Sequence, residues 1–338
     1  MSKAKRDYLK TEFENNVKNS KNVWHLLSEL LPGKKDTSKM IQLLDDNDEM
    51  IENERLAHHI NSHFNTVGSK NPIPPIPTQG PIPYPVFDLQ PINTIDMIEI
   101  IKKIDIKKAS SVINLPTILL KEVFVSNPNI MTNMINKCIL SKTLPKKWKN
   151  ATIIPLKKVK NCTSCGDLRP ISLLPLPSKL LEKIIYKQCI DHLIHCNLFN
   201  PEQFGFQKDK STISAISEFT DDIYENVENN NPTIAIYIDF QKAFDRLNHD
   251  ILLHKLRFFA FSENTIEFFK NYLGNRTHTT LVNNRTSGPL QLTHGVPQGS
   301  NLGPMLFLLY INDINLNINN SSIKLFADDT PINNSKKY

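Results

Sequence analysis

Hydrophobic alternation marks two short segments that each end in aspartate. The first has isoleucine at 234, 236 and 238, with other residues between, and ends at Asp239. The second runs through Ile323 and Leu325 into Asp328 and Asp329. A period of two predicts a strand with one apolar face. Two such strands side by side would bring carboxylates within reach of one hard cation, and Mg²⁺ prefers oxygen ligands of this kind.

Apolar residues at helical spacing predict several amphipathic helices in the rest of the chain. The predicted helices cover residues 23–31, 54–64, 94–108, 178–196, 212–229 and 305–311, with a further pair within 250–273. Their predicted buried faces include Ile95, Ile98, Ile101 and Ile104 in the third helix, Leu181, Ile185 and Cys189 in the fourth, and Ile213, Ile216 and Phe219 in the fifth.

Composition suggests how these elements are divided. The chain has 338 residues, of which 40% are hydrophobic, which is enough for one large or two ordinary domains. Prolines crowd residues 71–91 and predict an extended, semi-rigid linker, with a ligand for an SH3-type domain as the alternative. The predicted division is therefore a helical N-terminal extension at 1–70, a linker at 71–91 and the main domain at 92–338.

Charge is unevenly distributed along the chain. The net charge is +6, and residues 123–166 contain no aspartate or glutamate. The lysines of this stretch are Lys137, Lys142, Lys146, Lys147, Lys149, Lys157, Lys158 and Lys160. A block of one sign concentrates positive potential and favours a polyanionic partner, although a solvated lysine face is the alternative. The segments ATIIPLKKVK and RPISLL predict a hairpin that carries this charge.

The chain shows no targeting signal and no sequence feature of a membrane protein. Its N-terminus is polar, and no apolar run reaches the ~18 residues that a membrane span needs, so we expect an intracellular protein without membrane contact. Five cysteines, an odd number, predict free thiols in a reducing compartment. A zinc site is the alternative, formed by Cys162 and Cys165 with Cys189, His192, His195 and Cys196, but a helix at 178–196 would separate the two groups.

Three stretches in order identify a family resemblance. IYIDFQKAFD, GVPQGSNLGP and LFADD resemble motifs A, B and C of reverse transcriptases, and the upstream RPISLL and QFGF support the match. The residues of these motifs are similar to those of the non-LTR retrotransposon branch, jockey-like or LINE-type. The resemblance runs from about Thr94 to Thr330. The resemblance implies an α+β fold of the right-hand polymerase type, with fingers and a partial palm. It also implies an RNA-directed DNA polymerase that uses Mg²⁺ or Mn²⁺, an RNA template, a DNA primer and deoxynucleoside triphosphates.

The resemblance also assigns roles to individual residues. It implies Asp239, Asp328 and Asp329 as catalytic residues, with Asp239, Asp328 and the Phe240 carbonyl as metal ligands. It implies nucleotide contacts by Lys157 or Lys158, Arg169, Gln298, Gly299 and Phe244, the last as a steric gate against the 2′-hydroxyl. Nucleic-acid contacts are expected from Lys146, Lys147, Lys149, Lys160, Lys208 and Lys210. Asp245 is expected to fix the turn after the strand rather than to bind metal.

Several positions depart from the family pattern. Ser111, Ile113 and Gln207 stand where the family has Gly, Asp and Arg, and the sequence after Asp329 is too polar to predict a return strand. No thumb is recognisable. We therefore expect the chain to bind nucleic acid in a salt-sensitive way and to extend primers poorly. The alternative is a non-enzymatic, nucleic-acid-binding remnant of a retroelement.

Overall fold

The computed structural model describes residues 40–45, 47–68, 84–105, 117–318 and 321–335. The chain divides into two compact units, Met1–Ile41 and Gln42–Tyr338, and the elements below belong to the second. The predicted helix at 23–31, most of the proline-rich segment, and Ser111 and Ile113 lie outside the described residues.

The described residues form a mixed structure of helices and strands, as the sequence predicted, and the strands are divided between two separate sheets. The helices are α1 Asn53–Thr66, α2 Thr94–Lys102, α3 Thr117–Ser126, α4 Pro128–Ser141, α5 Leu176–His195, α6 Thr212–Glu228, α7 His249–Phe258, α8 Glu263–Leu273 and α9 Gly303–Ile311. The strands are β1 Asn150–Lys157, β2 Leu168–Leu173, β3 Thr233–Asp239, β4 Thr277–Val282, β5 Arg285–Thr286, β6 Leu290–Gln291, β7 Ser321–Ile323 and β8 Asp329–Ser335.

The first sheet is built on the predicted basic hairpin. Strands β1 and β2 pair antiparallel, from Thr152 opposite Leu173 to Lys157 opposite Leu168. On its other side β1 pairs in parallel with β4, which also carries β5 and β6. Its alternate residues Ala151 and Ile153 are buried, because successive side chains of a strand point to opposite faces of the sheet and these two share the covered face.

The second sheet contains a strand that the sequence analysis rejected. β8 pairs antiparallel with β3 from Thr233 opposite Ser335 to Asp239 opposite Asp329, and β7 pairs with its other edge. The prediction that no return strand follows Asp329 is therefore wrong. Pro331 is tolerated because it faces Lys324, which lies just beyond the end of β7. The Pro331 carbonyl accepts a hydrogen bond from the Lys324 amide. The missing N–H of the proline would point to the same side, where the ladder has already ended.

Two predicted helix faces are confirmed only in part. In α2 Ile101 is buried as predicted and Ile104 packs against the core, but Met97 is also buried and Ile95 is 72% exposed. In α6 Ala215 and Phe219 are buried, but Ile213 is 76% exposed. In the described part of the chain, the second sheet has three strands and covers only part of this helix.

The main core lies among the helices. It contains Ile185, Leu256, Phe269 and Leu306, which come from α5, α7, α8 and α9. The predicted helix at 178–196 is confirmed as α5, with Leu181, Ile185 and Cys189 buried, and the predicted pair within 250–273 forms α7 and α8. The five cysteines are free thiols, and all five are buried. Among the described helices, none is long and apolar enough to cross a membrane.

Candidate active site

The two sheet strands bring the aspartates together as their sequence position suggested. Asp239, the last residue of β3, lies opposite Asp329, the first residue of β8. Asp328 precedes it in a tight turn in which Phe326 and Asp329 exchange backbone hydrogen bonds. Ala327 in this turn has a positive φ of 58°, which is uncommon for a residue with a side chain.

The QFGF segment holds this turn in place. Gln203 is buried, and its Oε1 accepts hydrogen bonds from the amides of Ala327 (2.9 Å) and Gly205 (2.8 Å). The Phe204 amide donates to the Leu325 carbonyl beside it. A Cβ on Gly205 would lie 2.2 Å from the Ala327 nitrogen, so only glycine fits. Sequence analysis assigned no role to Gln203 or Gly205. The Gln-Phe-Gly spacing was the available signal.

The carboxylates influence one another electrostatically. Burial raises the pKa of Asp328, and the neighbouring carboxylates of Asp329 and Asp239 raise this pKa further. A bound cation would oppose this effect by favouring the ionised form. The site therefore stores an electrostatic cost that a divalent metal ion can offset.

The oxygen atoms at this site suit a hard cation that takes few of its ligands from the protein. Asp239, Phe240 and Asp328 line one cavity of about 640 Å³, whereas Asp329 lines a separate apolar cleft beside α6. In the described part of the chain, no three histidine, cysteine, aspartate or glutamate residues are grouped to hold a metal ion. Two carboxylates with open coordination positions still fit Mg²⁺, which usually takes one or two carboxylates together with substrate phosphates.

The same cavity collects most of the predicted nucleotide contacts. Lys158, Arg169, Phe244 and Gln298 line it. Lys158 donates through Nζ to the Gly166 carbonyl at the hairpin tip. Two predicted residues lie elsewhere. Lys157 is not among the residues that line this cavity, and Gly299 lines a different cavity of about 180 Å³.

Phe244 is at once a wall of the cavity and a packing residue. Its ring stacks on Phe307 with centroids 4.6 Å apart, and it meets Phe206 edge-on at 6.1 Å. A ring supported in this way is rigid, which a steric gate requires. The role of Phe244 as a steric gate stays a prediction.

The GVPQG segment docks directly on the turn that follows β3. Gly295 has φ +75°, and a Cβ there would lie 2.7 Å from the Asp245 carbonyl oxygen. The Gly295 amide donates to the Leu247 carbonyl, and the Val296 amide donates to the Phe244 carbonyl. These contacts fix Gln298 relative to Asp239.

The predicted nucleic-acid-binding lysines divide into two groups. Lys146, Lys147, Lys160 and Lys208 are exposed. Lys149 is buried, and its Nζ donates to the carbonyls of Asn271 and Gly274. Burial and the nearby Arg276 lower the pKa of Lys149. This position contradicts the predicted contact of Lys149 with nucleic acid, because its ammonium group is bound to carbonyls inside the fold.

Lys210 is engaged in a similar way. Its Nζ donates to the carbonyls of Pro201 and Gln203 and lies 4.5 Å from the centre of the Phe204 ring. The predicted role of Lys210 in nucleic-acid binding is not supported by this position, since the ammonium group stabilises the QFGF segment.

Comparison with known proteins identifies the family that the chain resembles. Residues 149–337 match the family model described as reverse transcriptase (RNA-dependent DNA polymerase). The probable RNA-directed DNA polymerase from transposon BS of Drosophila melanogaster is 32% identical over 227 residues, which is 67% of this chain and 25% of that protein. The RNA-directed DNA polymerase from mobile element jockey of the same species is 31% identical over 196 residues, 56% of this chain and 21% of that protein.

A third relative extends the match beyond Drosophila. The Pol polyprotein from type-1 retrotransposable element R1 of Bradysia coprophila is 31% identical over 220 residues, 63% of this chain and 21% of that protein. The chain thus spans a quarter or less of the length of these relatives.

The matched region covers more than half of the chain and includes both strands that carry the aspartates. The chain belongs to the reverse transcriptase family, and the predicted resemblance to the non-LTR retrotransposon branch is confirmed. Enzymes of this family act on nucleic-acid templates with nucleotide substrates and generally use divalent metal ions.

Proposed function

We propose that the chain is the nucleotidyl-transfer part of an RNA-directed DNA polymerase of a mobile element. It would transfer deoxynucleotides to the 3′-hydroxyl of a DNA primer on an RNA template, with pyrophosphate as the leaving group. The observation that carries this proposal is the cavity shared by Asp239, Asp328, Lys158, Arg169 and Gln298. In this proposal the first sheet and its helices are the fingers, and the second sheet is part of the palm.

The residues have distinct tasks in this reaction. Asp239, Asp328 and the Phe240 carbonyl would hold Mg²⁺, or Mn²⁺ in its place. When bound, the metal supplies charge neutralisation and activation of the attacking hydroxyl. Lys158 and Arg169 would bind the triphosphate, the arginine through its planar fork. Catalysis of this type depends on positioning and on electrostatic stabilisation. The turn at Ala327, which Gln203 holds in place, favours the positioning of Asp328.

A primer-extension assay tests the proposal. With an RNA template, a DNA primer and Mg²⁺ or Mn²⁺, we expect extension that falls about 100-fold or more in Asp239→Asn, because one carboxylate that stabilises developing charge is lost. Asp221→Asn is a matched control, since Asp221 is exposed on α6. Extension that persists in Asp239→Asn contradicts the proposal. Template binding without any extension would favour the non-enzymatic alternative.

A further inference from the structure

Helix α6 carries apolar side chains beyond the face that it buries. Its buried residues are Ala215 and Phe219. Beside them lies a second, largely apolar line of side chains, the α6 stripe, which consists of Ile213, Ile216, Thr220, Ile223 and Val227. Ile213, Ile216 and Val227 are 61–76% exposed. A helix on a protein surface normally turns such residues inward, so the α6 stripe is an apolar surface that the described fold leaves in water.

The spacing of the α6 stripe is typical of a helix that packs against another helix. Its members follow one another at intervals of three, four, three and four residues. This repeat aligns side chains along one side of an α-helix, as in the contact line of a coiled coil. The stripe spans two such repeats, about 21 Å at about 1.5 Å per residue. Its geometry therefore suits an α-helix as the occupant.

A cleft beside the α6 stripe gives this surface depth. A cavity of about 470 Å³ lies between α6 and the second sheet, and its walls include Ile216 and Ile223 of α6 with Tyr237 and Pro331 of the sheet. The exposed ring of Tyr237 meets Phe219 edge-on, with the centroids 5.9 Å apart. Cavities of this size hold small apolar groups in other proteins. The cleft thus has room for apolar side chains of a docked helix.

The charge of α6 indicates what the docked helix carries. The chain has a net charge of +6, yet α6 contains five acidic residues and no lysine or arginine. The acidic residues are Glu218, Asp221, Asp222, Glu225 and Glu228. At about 100° per residue, the α6 stripe lies between the buried face and this acidic face. An occupant of the stripe therefore lies beside a row of carboxylates.

The same charge disfavours two other occupants. Nucleic acid is a polyanion, and the acidic face of α6 would repel it. A second copy of the chain, paired through α6, would place one acidic helix beside another, and like charges brought together at an interface are costly. A helix that carries lysine or arginine next to an apolar line matches both the stripe and the carboxylates.

We propose that the α6 stripe and the cleft beside it form a docking site for a cationic amphipathic α-helix of a partner protein. The apolar residues of the partner helix pack along the stripe and enter the cleft, while its basic residues face the carboxylates of α6. Asp239 and Asp329 also line the cleft, so the partner lies next to the strands of the candidate active site. The inference does not depend on the proposed function.

Binding of a defined peptide to the whole chain tests the proposal. The probe is a fluorescent peptide of about 18 residues, made of leucine and lysine, with its leucines at the three–four spacing of the stripe. One control peptide has the same composition in an order without helical periodicity, and another has glutamate in place of each lysine. Fluorescence anisotropy measures affinity. We expect the periodic leucine–lysine peptide to bind at least about 10-fold more tightly than either control.

Substitutions show whether the peptide binds at the α6 stripe. Ile216→Ser with Val227→Ser should weaken peptide binding about 10-fold, because two apolar contacts are lost. The fold should be kept, since both side chains are largely in water. Ile194→Ser is the matched control, because Ile194 is 58% exposed on α5, and it should bind as the unaltered chain does. Asp221→Asn with Glu225→Gln should weaken binding a few-fold at low salt and reduce its salt dependence.

The contrary outcomes identify the other occupants. Unchanged peptide affinity in the Ile216→Ser, Val227→Ser chain overturns the inference, and so does equal binding of the aperiodic peptide. Sedimentation velocity and RNA binding should be the same in this variant and the unaltered chain. A dimer that the variant dissociates would assign the stripe to a second copy, and weaker RNA binding would assign it to nucleic acid. Either result overturns the proposal.

Hydrogen exchange locates the peptide without any substitution. A docked helix stabilises the element that it covers, so saturating periodic peptide should slow amide exchange in residues 212–228. Helix α4 has exposed apolar residues but lies outside the proposed site, and its exchange should stay the same. Unchanged exchange in residues 212–228 with the peptide bound would show that the peptide docks elsewhere, which overturns the inference.

Discussion

Strands β1 and β3 have similar apolar sequences but lie in different surroundings. β1 is an inner strand, and its Ile153 is 4% exposed. Among the strands that the structure describes, β3 lies at a sheet edge, and its Ile236 and Tyr237 are 52% and 73% exposed. β1 is therefore held by side-chain packing. β3, which carries Asp239, is held mainly by its backbone ladder with β8 and by the loops that dock on its end.

This difference indicates where the candidate active site is sensitive. Core substitutions near β1 should act through stability, whereas the geometry around Asp239 and Asp328 should depend on the turn contacts. An exposed apolar edge strand is also a surface that other chains can pair with. The following predictions test the contrast, from the largest expected effect to the smallest.

A matched pair of isoleucine substitutions tests the contrast most directly. Ile153→Ala should lower the free energy of unfolding by about 2–5 kcal/mol, because it leaves a cavity in a packed core. Ile236→Ala should cost about 0.5 kcal/mol or less, since most of this side chain is already in water. Urea unfolding of both variants measures the difference. Equal losses would show that β3 is packed in solution.

Gly205→Ala should damage activity through the turn. The added Cβ would meet the Ala327 nitrogen at 2.2 Å, so the turn that carries Asp328 must move. A displacement of about 1 Å can reduce the rate of primer extension about 100-fold. Gly288→Ala is the matched control, because a Cβ there meets nothing within 4 Å. Normal primer extension by Gly205→Ala would mean that the contact between the QFGF segment and the turn at Ala327 has no catalytic consequence.

Phe244→Ala should relax sugar selection. Removal of the ring opens the cavity wall, and we expect ribonucleotide incorporation to rise on the order of 10–100-fold relative to deoxynucleotides. Phe307→Leu removes the stacking partner but leaves the wall in place, and it separates gating from packing. If Phe307→Leu relaxes selection as much as Phe244→Ala does, Phe244 acts only through packing.

Two neighbouring lysines should behave differently. Lys147→Ala should weaken RNA binding a few-fold and reduce the salt slope of binding by about one, because a phosphate contact releases counterions. Lys149→Ala should instead lower stability and leave the slope unchanged, since its ammonium group caps buried carbonyls. Fluorescence anisotropy across a salt series measures both. A smaller salt slope in Lys149→Ala would restore its predicted role.

Asp328→Asn should slightly stabilise the metal-free chain at neutral pH. The pKa of Asp328 is raised in the folded state, so the stability linked to this group is present below its ordinary pKa and is lost as the pH rises through the raised value. Asparagine removes that loss. Because the group is partly exposed and screened, the gain should be roughly 0.5 kcal/mol or less. Thermal unfolding with chelator at acidic and neutral pH measures it. A gain that is equal at both pH values would exclude linkage to Asp328.

Local sequence pattern was sufficient for much of the fold and for the family. The spacing of Leu181, Ile185 and Cys189 predicted α5, and the segments around Ile153 and Ile171 predicted the β1–β2 hairpin. The aspartates at the ends of two alternating strands predicted that these strands would meet. Each of these features depends on periodicity or on a short motif, and such information is present in neighbouring residues.

The remaining features were decided by contacts between distant parts of the chain. The polar segment after Asp329 forms β8 because β3 and β7 provide partners for its backbone. This segment has no local apolar pattern that would predict a strand. Lys149 resembles the other lysines in sequence, yet the carbonyls of Asn271 and Gly274, brought by the fold, bind its ammonium group. Gln203 holds Ala327, and Asp245 holds Gln298, because the tertiary structure places each acceptor within hydrogen-bonding distance of a donor far along the chain.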